Sequence, residues 1–251
     1  MAETILVTGA SAGFGQAICQ RLVADGHRVI GAARRIEKLQ ALHEELGEAF
    51  YPLQMDVTDL TQVDHALASL PADWEQIDVL VNNAGLALGL APAQKAEIAD
   101  WLTMIQTNII GLTYLTRQIL PQMVERNDGY VINMGSTAGT VPYPGANVYG
   151  ASKAFVKQFS LNLRADLAGK QIRVTNIEPG LCEGTEFSSV RFKGDEKRVE
   201  ALYRDAHAIQ PEDIANTVSW LIQQPKHVNV NRIEIMPVSQ TFGPQPVYRG
   251  D

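Results

Sequence analysis

The chain has 251 residues, 45% of them apolar and 20% charged, the balance of one soluble α/β domain with a large core. A net charge of −7 disfavours nucleic acid and anionic membranes as partners, and no apolar run approaches the ~18 residues of a membrane helix. Two cysteines without Cys-x-x-Cys spacing read as free thiols of a reducing cytoplasm, and five histidines without ligand spacing argue against a catalytic metal.

In chain order, β-rich runs alternate with helical patterns, which predicts a parallel sheet covered on both faces. The first strand, Thr4–Thr8, starts almost at the N-terminus, so no signal peptide is expected. It runs into Thr8-Gly9-Ala10-Ser11-Ala12-Gly13-Phe14-Gly15, which opens a helix over Gly13–Ala24. Glycines spaced Gly-x-x-x-Gly-x-Gly allow a tight turn and close backbone approach, and helix-end N–H groups suit a pyrophosphate. The bland alternative is a structural turn between strand and helix.

The second strand, Arg28–Ala33, ends in Arg34-Arg35, where an NAD site usually offers a carboxylate. Two guanidiniums there suit the 2′-phosphate of NADP(H); the other reading pairs them on the surface with Glu37 or Glu44. A helix over Ile36–Leu46, a strand over 50–55, a helix over 60–70 and a buried strand over 79–81 follow. Residues 98–126 read as one long helix, then come a strand over 130–134 and a helix over 148–167. A strand over 173–177, a helix over 211–224 and a strand over 232–236 complete seven strands. Between the last two, residues 183–208 are polar and weakly patterned. The tail, 241–251, holds Pro244 and Pro246 and is not expected to join the sheet. One domain over residues 1–251 is the expected organisation.

Tyr149 and Lys153 stand four residues apart, hence one turn apart on one helix face, with Ser136 upstream. A cation beside a phenol favours the phenolate, so the pair is expected to move a proton closer to neutrality. Ser136 can hold a substrate oxygen in the same pocket.

With these motifs in order along essentially the whole chain, the sequence resembles the short-chain dehydrogenase/reductase family. That resemblance implies a doubly wound Rossmann-type domain, NADP(H), and a catalytic tetrad of Asn108, Ser136, Tyr149 and Lys153. It assigns Asn83, Ala84 and Gly85 to the nucleotide pocket, and Asp56 and Val57 to the adenine. Pro179 and Gly180 would cover the nicotinamide. Thr185 would bond the carboxamide, one residue later than the commonest spacing. Tyr149 would pass the proton to a carbonyl oxygen, with Lys153 lowering its pKa and bonding the ribose. Members are commonly homotetramers.

Within the family, the runs 178–195 and 234–238 resemble the NADP-dependent 3-hydroxy acid dehydrogenases, with sulfoacetaldehyde reductases close by. The implied substrate is a small anionic aldehyde or hydroxy acid, such as malonic semialdehyde and 3-hydroxypropionate or L-serine. A carboxylate is favoured over a sulfonate. Arg191, with Lys193 beside it, is the candidate anion site, and Tyr143 and Asn147 are further substrate contacts. Solvated loop charge is the other reading of the basic pair. A reductase of neutral carbonyls and a non-catalytic NADP(H) sensor are the remaining alternatives.

Overall fold

In the computed structural model, which describes residues 2–243, the seven strands are β1 Thr4–Thr8, β2 Arg28–Ala33, β3 Phe50–Gln54, β4 Val79–Asn82, β5 Gly129–Met134, β6 Ile172–Pro179 and β7 Arg232–Ile235. They form a single sheet in the order β3-β2-β1-β4-β5-β6-β7, with every neighbouring pair parallel. The chain therefore steps outward from β1 to β3, returns, and steps outward again from β4 to β7. The reversal opens a crevice beyond the carboxyl ends of β1 and β4, where open parallel sheets take their ligands.

The helices are α1 Gly13–Ala24, α2 Ile36–Leu46, α3 Leu60–Ala68, α4 Ile98–Ile105, α5 Leu112–Arg126, α6 Asn147–Asp166, α7 Phe187–Arg191, α8 Glu196–Tyr203 and α9 Pro211–Gln223. Successive strand residues face opposite ways, so β1 serves two cores. Ile5 and Val7 pack with Ile18 and Leu22 of α1, Leu39 of α2 and Val218 of α9. Leu6 packs with Val63 of α3, Ile119 of α5 and Leu163 of α6. Burial of both faces is why β1 and β4 read as unbroken apolar runs.

Two expectations are corrected. Residues 98–126 are not one regular helix: α4 and α5 are joined by a wide π-helical stretch over Gln106–Gly111. Two contacts fix it. The Asn108 amide clamps the Leu86 backbone, accepting from its N–H and donating to its carbonyl at 2.9 Å each, and also donates to Ser152 Oγ at 3.0 Å. Gly111 meets the carbonyl of Val57 so closely that a Cβ would lie 2.6 Å from its oxygen. Such stretches recur at functional sites. The weakly patterned segment 183–208 in turn contains α7 and α8, with Lys193 and Gly194 between them in left-handed conformations and Asp195 capping α8 through the Arg198 N–H. Other boundaries differ from expectation by one or two residues. Residues 244–251, most of the expected tail, lie outside the described residues.

Gly111→Ala is expected to destabilise the protein by about 1–3 kcal/mol, because the methyl group must displace a backbone carbonyl in a packed region. Urea unfolding should show a lower midpoint with an unchanged slope; an unmoved midpoint would mean that the stretch yields without strain.

Candidate active site

A cleft of about 610 Å³ runs along the carboxyl ends of the strands. Gly9, Ser11, Gly13 and Phe14 form its floor after β1, and Arg34 and Arg35 stand at the end of β2. Asp56 and Val57 line it after β3, and Asn83, Ala84 and Gly85 after β4. Ser136, Tyr143, Tyr149 and Lys153 form the opposite wall, covered by Pro179, Gly180, Thr185 and Arg191.

Three expected site residues do not line the cleft. Gly15 lies beneath the turn, where a Cβ would sit 2.2 Å from the Gly9 carbonyl oxygen; it lets α1 approach the turn. Asn108 stands behind the wall and holds Leu86 in place. Asn147, expected to contact substrate, accepts from Trp101 Nε1 and donates to the Ala91 carbonyl, each at 3.1 Å. Its polar atoms join α6 to α4 and the preceding loop instead.

In the cofactor half, Thr8 ties the first turn to the loop after β4. Its hydroxyl accepts from the N–H groups of Asn83 and Ala84 at 3.0 and 2.9 Å, and its carbonyl from Asn83 Nδ2 at 2.8 Å. Arg34 is exposed. Arg35 pairs neither with Glu37 nor with Glu44: it meets Glu186 of the 183–208 segment through two hydrogen bonds of 3.0 and 2.8 Å. It also donates to Ser11 Oγ at 3.0 Å, while Lys38 reaches the same carboxylate at 3.0 Å. Hydrogen bonding to Arg35 brings the Glu186 carboxyl down to about 2. Both partners are largely exposed, so the pair contributes only about 0–1 kcal/mol. The donor set fits a phosphorylated ribose: Arg34, Arg35, Lys38 and the Ser11 hydroxyl gather at the end of β2, and the N-terminus of α1 opens on the cleft.

In the substrate half, Tyr149 and Lys153 are buried on α6. Lys153 Nζ donates to the Met134 carbonyl at 2.8 Å and lies 5.9 Å from the centre of the Tyr149 ring. Ser136 leaves β5 extended, and its hydroxyl accepts from the Ala138 N–H at 3.2 Å and reaches the Pro179 carbonyl at 3.4 Å. Phe187 closes over Tyr149 with its ring centre 5.7 Å away. The basic pair is split: Lys193 turns out to Asp100 at 2.8 Å, whereas the Arg191 guanidinium turns inward. It lies 5.4 Å from the ring centres of both Tyr143 and Tyr149 and donates to the Tyr143 hydroxyl at 2.8 Å.

Burial pushes the Tyr149 phenol up to about 12, opposed by a hydrogen bond with Ser136 and by the charge of Arg191. Burial also pushes the Lys153 ammonium down to about 8. The Lys153 ammonium points to the Met134 carbonyl, and at the phenol burial outweighs the charge of Arg191.

Four other cleft residues leave little sign in the local sequence pattern: Glu186, Phe187, Tyr203 and Gln240. Tyr203 donates to the Cys182 carbonyl at 2.7 Å, and the Gln240 side chain accepts from the Leu181 N–H at 2.7 Å. Each pairing depends on how the segment after β6 folds back, which no local pattern encodes.

The model of the short chain dehydrogenases matches residues 3–196. The chain belongs to that family. It is 59% identical over 245 residues to the NADP-dependent 3-hydroxy acid dehydrogenase YdfG of Salmonella typhi, covering 98% of this chain and 99% of the relative. It is 53% identical over 249 residues to the serine 3-dehydrogenase of Rhizobium radiobacter, covering 99% of each. A solved closed form of serine dehydrogenase complexed with NADP+ superposes with a TM-score of 0.97 at 56% identity, covering 98% of this chain and all of that one. The protein is an oxidoreductase, and with arginines rather than an acid at the end of β2 its cofactor is NADP(H).

Arg34→Ala should weaken NADPH binding roughly ten- to hundredfold, the value of a charge-assisted hydrogen bond, and leave NADH nearly unchanged. Fluorescence titration with both cofactors checks this; equal losses would remove Arg34 from the phosphate site.

Proposed function

We propose that this enzyme interconverts a short 3-hydroxy acid and its semialdehyde, of the type 3-hydroxypropionate or L-serine and malonic semialdehyde, with NADP(H) as redox partner. One observation carries the reading: beside Tyr149, Arg191 donates only to neutral oxygens among the described residues, those of Tyr143 and Gly89. A cation so held in a half-closed pocket suits an anion two bonds from the reacting carbon, and its planar fork suits a carboxylate. The names of the two relatives, a 3-hydroxy acid dehydrogenase and a serine 3-dehydrogenase, support the same substrate class. A neutral substrate would leave the guanidinium without a counter-charge.

In this reading Tyr149 gives its proton to the carbonyl oxygen in reduction and takes it back in oxidation. Ser136 holds that oxygen through the change in charge. Lys153 steadies the wall and meets the cofactor ribose, and Asn108 fixes Leu86 and Ser152 behind it. NADPH supplies the hydride when bound. Segment 183–208 is the substrate loop, with Thr185 against the glycine turn and Arg191 against the substrate. The site is proposed to work in the cytoplasm.

Arg191→Ala is expected to cut kcat/KM for malonic semialdehyde by well over tenfold, the roughly 2–5 kcal/mol of a lost desolvated charge partner. Propanal, similar in size but neutral, should be reduced as before, and sulfoacetaldehyde in the same panel ranks sulfonate against carboxylate. A parallel loss for all three aldehydes, or none, would refute the anion site.

We further propose a homotetramer. Ile98 and Leu102 of α4 and Phe155 and Leu161 of α6 expose apolar surface to solvent, the kind of surface that a symmetric partner covers. Light scattering at micromolar concentration should give four times the chain mass; a monomer would contradict the assembly.

A further inference from the structure

We propose that Glu186 is a positioning residue for the cofactor: gripped by Arg35 and Lys38, it latches segment 183–208 across the nucleotide end of the cleft and slows the release of NADP(H). The inference needs only that NADP(H) occupies the cleft, and it stands whichever substrate the enzyme takes.

Arg35 uses both edges of its planar fork. One edge meets the carboxylate in two parallel hydrogen bonds, Nη1 to Oε1 at 3.0 Å and Nη2 to Oε2 at 2.8 Å. The other donates to Ser11 Oγ, from Nε at 3.3 Å and from Nη2 at 3.0 Å. Lys38, in the first turn of α2, donates to Oε1 at 3.0 Å. A bidentate pair fixes direction as well as distance, so Glu186 is held in one orientation and not merely attracted. Its neighbour Thr185 rests on the glycine turn, where a Cβ at Gly13 would lie 2.9 Å from the Thr185 methyl carbon.

The pair joins the two halves of the sheet, since Arg35 follows β2 and Glu186 follows β6, and both residues line the cleft. Among the described residues, no other group of segment 183–208 hydrogen-bonds to residues 2–60. The far end of the segment is tied elsewhere, through Arg191 to Tyr143 and Gly89 and through Lys193 to Asp100. Without Glu186 the segment keeps these substrate-side ties and loses its hold on the nucleotide side. A nucleotide seated on the glycine turn, with its 2′-phosphate at the end of β2, then leaves more easily. The carboxylate is not a rival of that phosphate, because a second cation stands beside the latch: Arg34 is exposed, and its guanidinium makes no hydrogen bond among the described residues.

Release is measured without turnover, by stopped-flow fluorescence as excess NADP+ displaces bound NADPH or NADH. The Glu186 side chain is half exposed, so Glu186→Gln and Glu186→Ala should fold as the wild type does. Each should speed the release of both nucleotides about three- to fivefold, the value of a well-oriented exposed ion pair, and leave the ratio of NADPH to NADH affinity in place. NADH has no 2′-phosphate, so its release reads the latch apart from any phosphate contact of Arg35. With NADH, Arg35→Ala, Glu186→Ala and the double variant should therefore release equally fast, because each removes the same pair. Raising NaCl from about 0.05 to about 0.5 M should speed NADH release from the wild type and have much less effect on Glu186→Gln. Slower NADPH release from Glu186→Gln, with NADH unmoved, would show that the carboxylate competes with the phosphate and would overturn the latch. So would unchanged rates for both nucleotides, or additive effects of the two alanine variants on NADH.

Discussion

Because all seven strands run the same way, all of them end at one edge of the sheet, and the loops that leave those ends share that edge. The turn after β1, the arginines after β2, the Asn83–Gly85 loop after β4, Ser136 after β5 and the Pro179–Gly180 cover after β6 meet there without any loop crossing the core. The two covered faces of the sheet supply the stability that lets this edge stay open. Thr8 fastens the first and third of these loops to each other, so the floor of the cleft is set by the sheet itself.

The segment after β6 supplies a charge to each half of that edge. Its acid, Glu186, meets the cations at the end of β2, and its base, Arg191, lies over the phenol of Tyr149. In a protein of net charge −7, the end of β2 and the surroundings of Tyr149 each carry local positive charge, and the same short segment touches both. Phe187, between the two charges, closes the pocket over Tyr149, which strengthens the electrostatic interactions inside it.

Burial dominates the chemistry of the pocket. It holds Tyr149 as a phenol and weakens the hold of Lys153 on its proton. Two groups that the sequence suggests as a charged pair are each pushed towards neutrality by desolvation. A phenol in such surroundings keeps its proton more tightly than one in water.

The strands, most of the helices, the glycine turn, the arginines at the end of β2 and the Tyr149–Lys153 spacing are legible without the fold. All of these follow from local periodicity or from a motif a few residues long. Local periodicity does not show the joint at Asn108, which the family resemblance alone marks as a helix-bending position, because it depends on hydrogen bonds to Leu86, 22 positions away. Arg191 and Lys193 look alike in the sequence, yet one faces Tyr149 and the other Asp100. Asn147 and Tyr143 looked equally suited to the substrate, but Asn147 is taken up by Trp101 and Ala91. Arg35 found its partner 151 positions away in Glu186 rather than on its own helix. These pairings come from the folded chain, because a side chain's partner is set by the path of the backbone around it, and two neighbours on a turning loop point to different places.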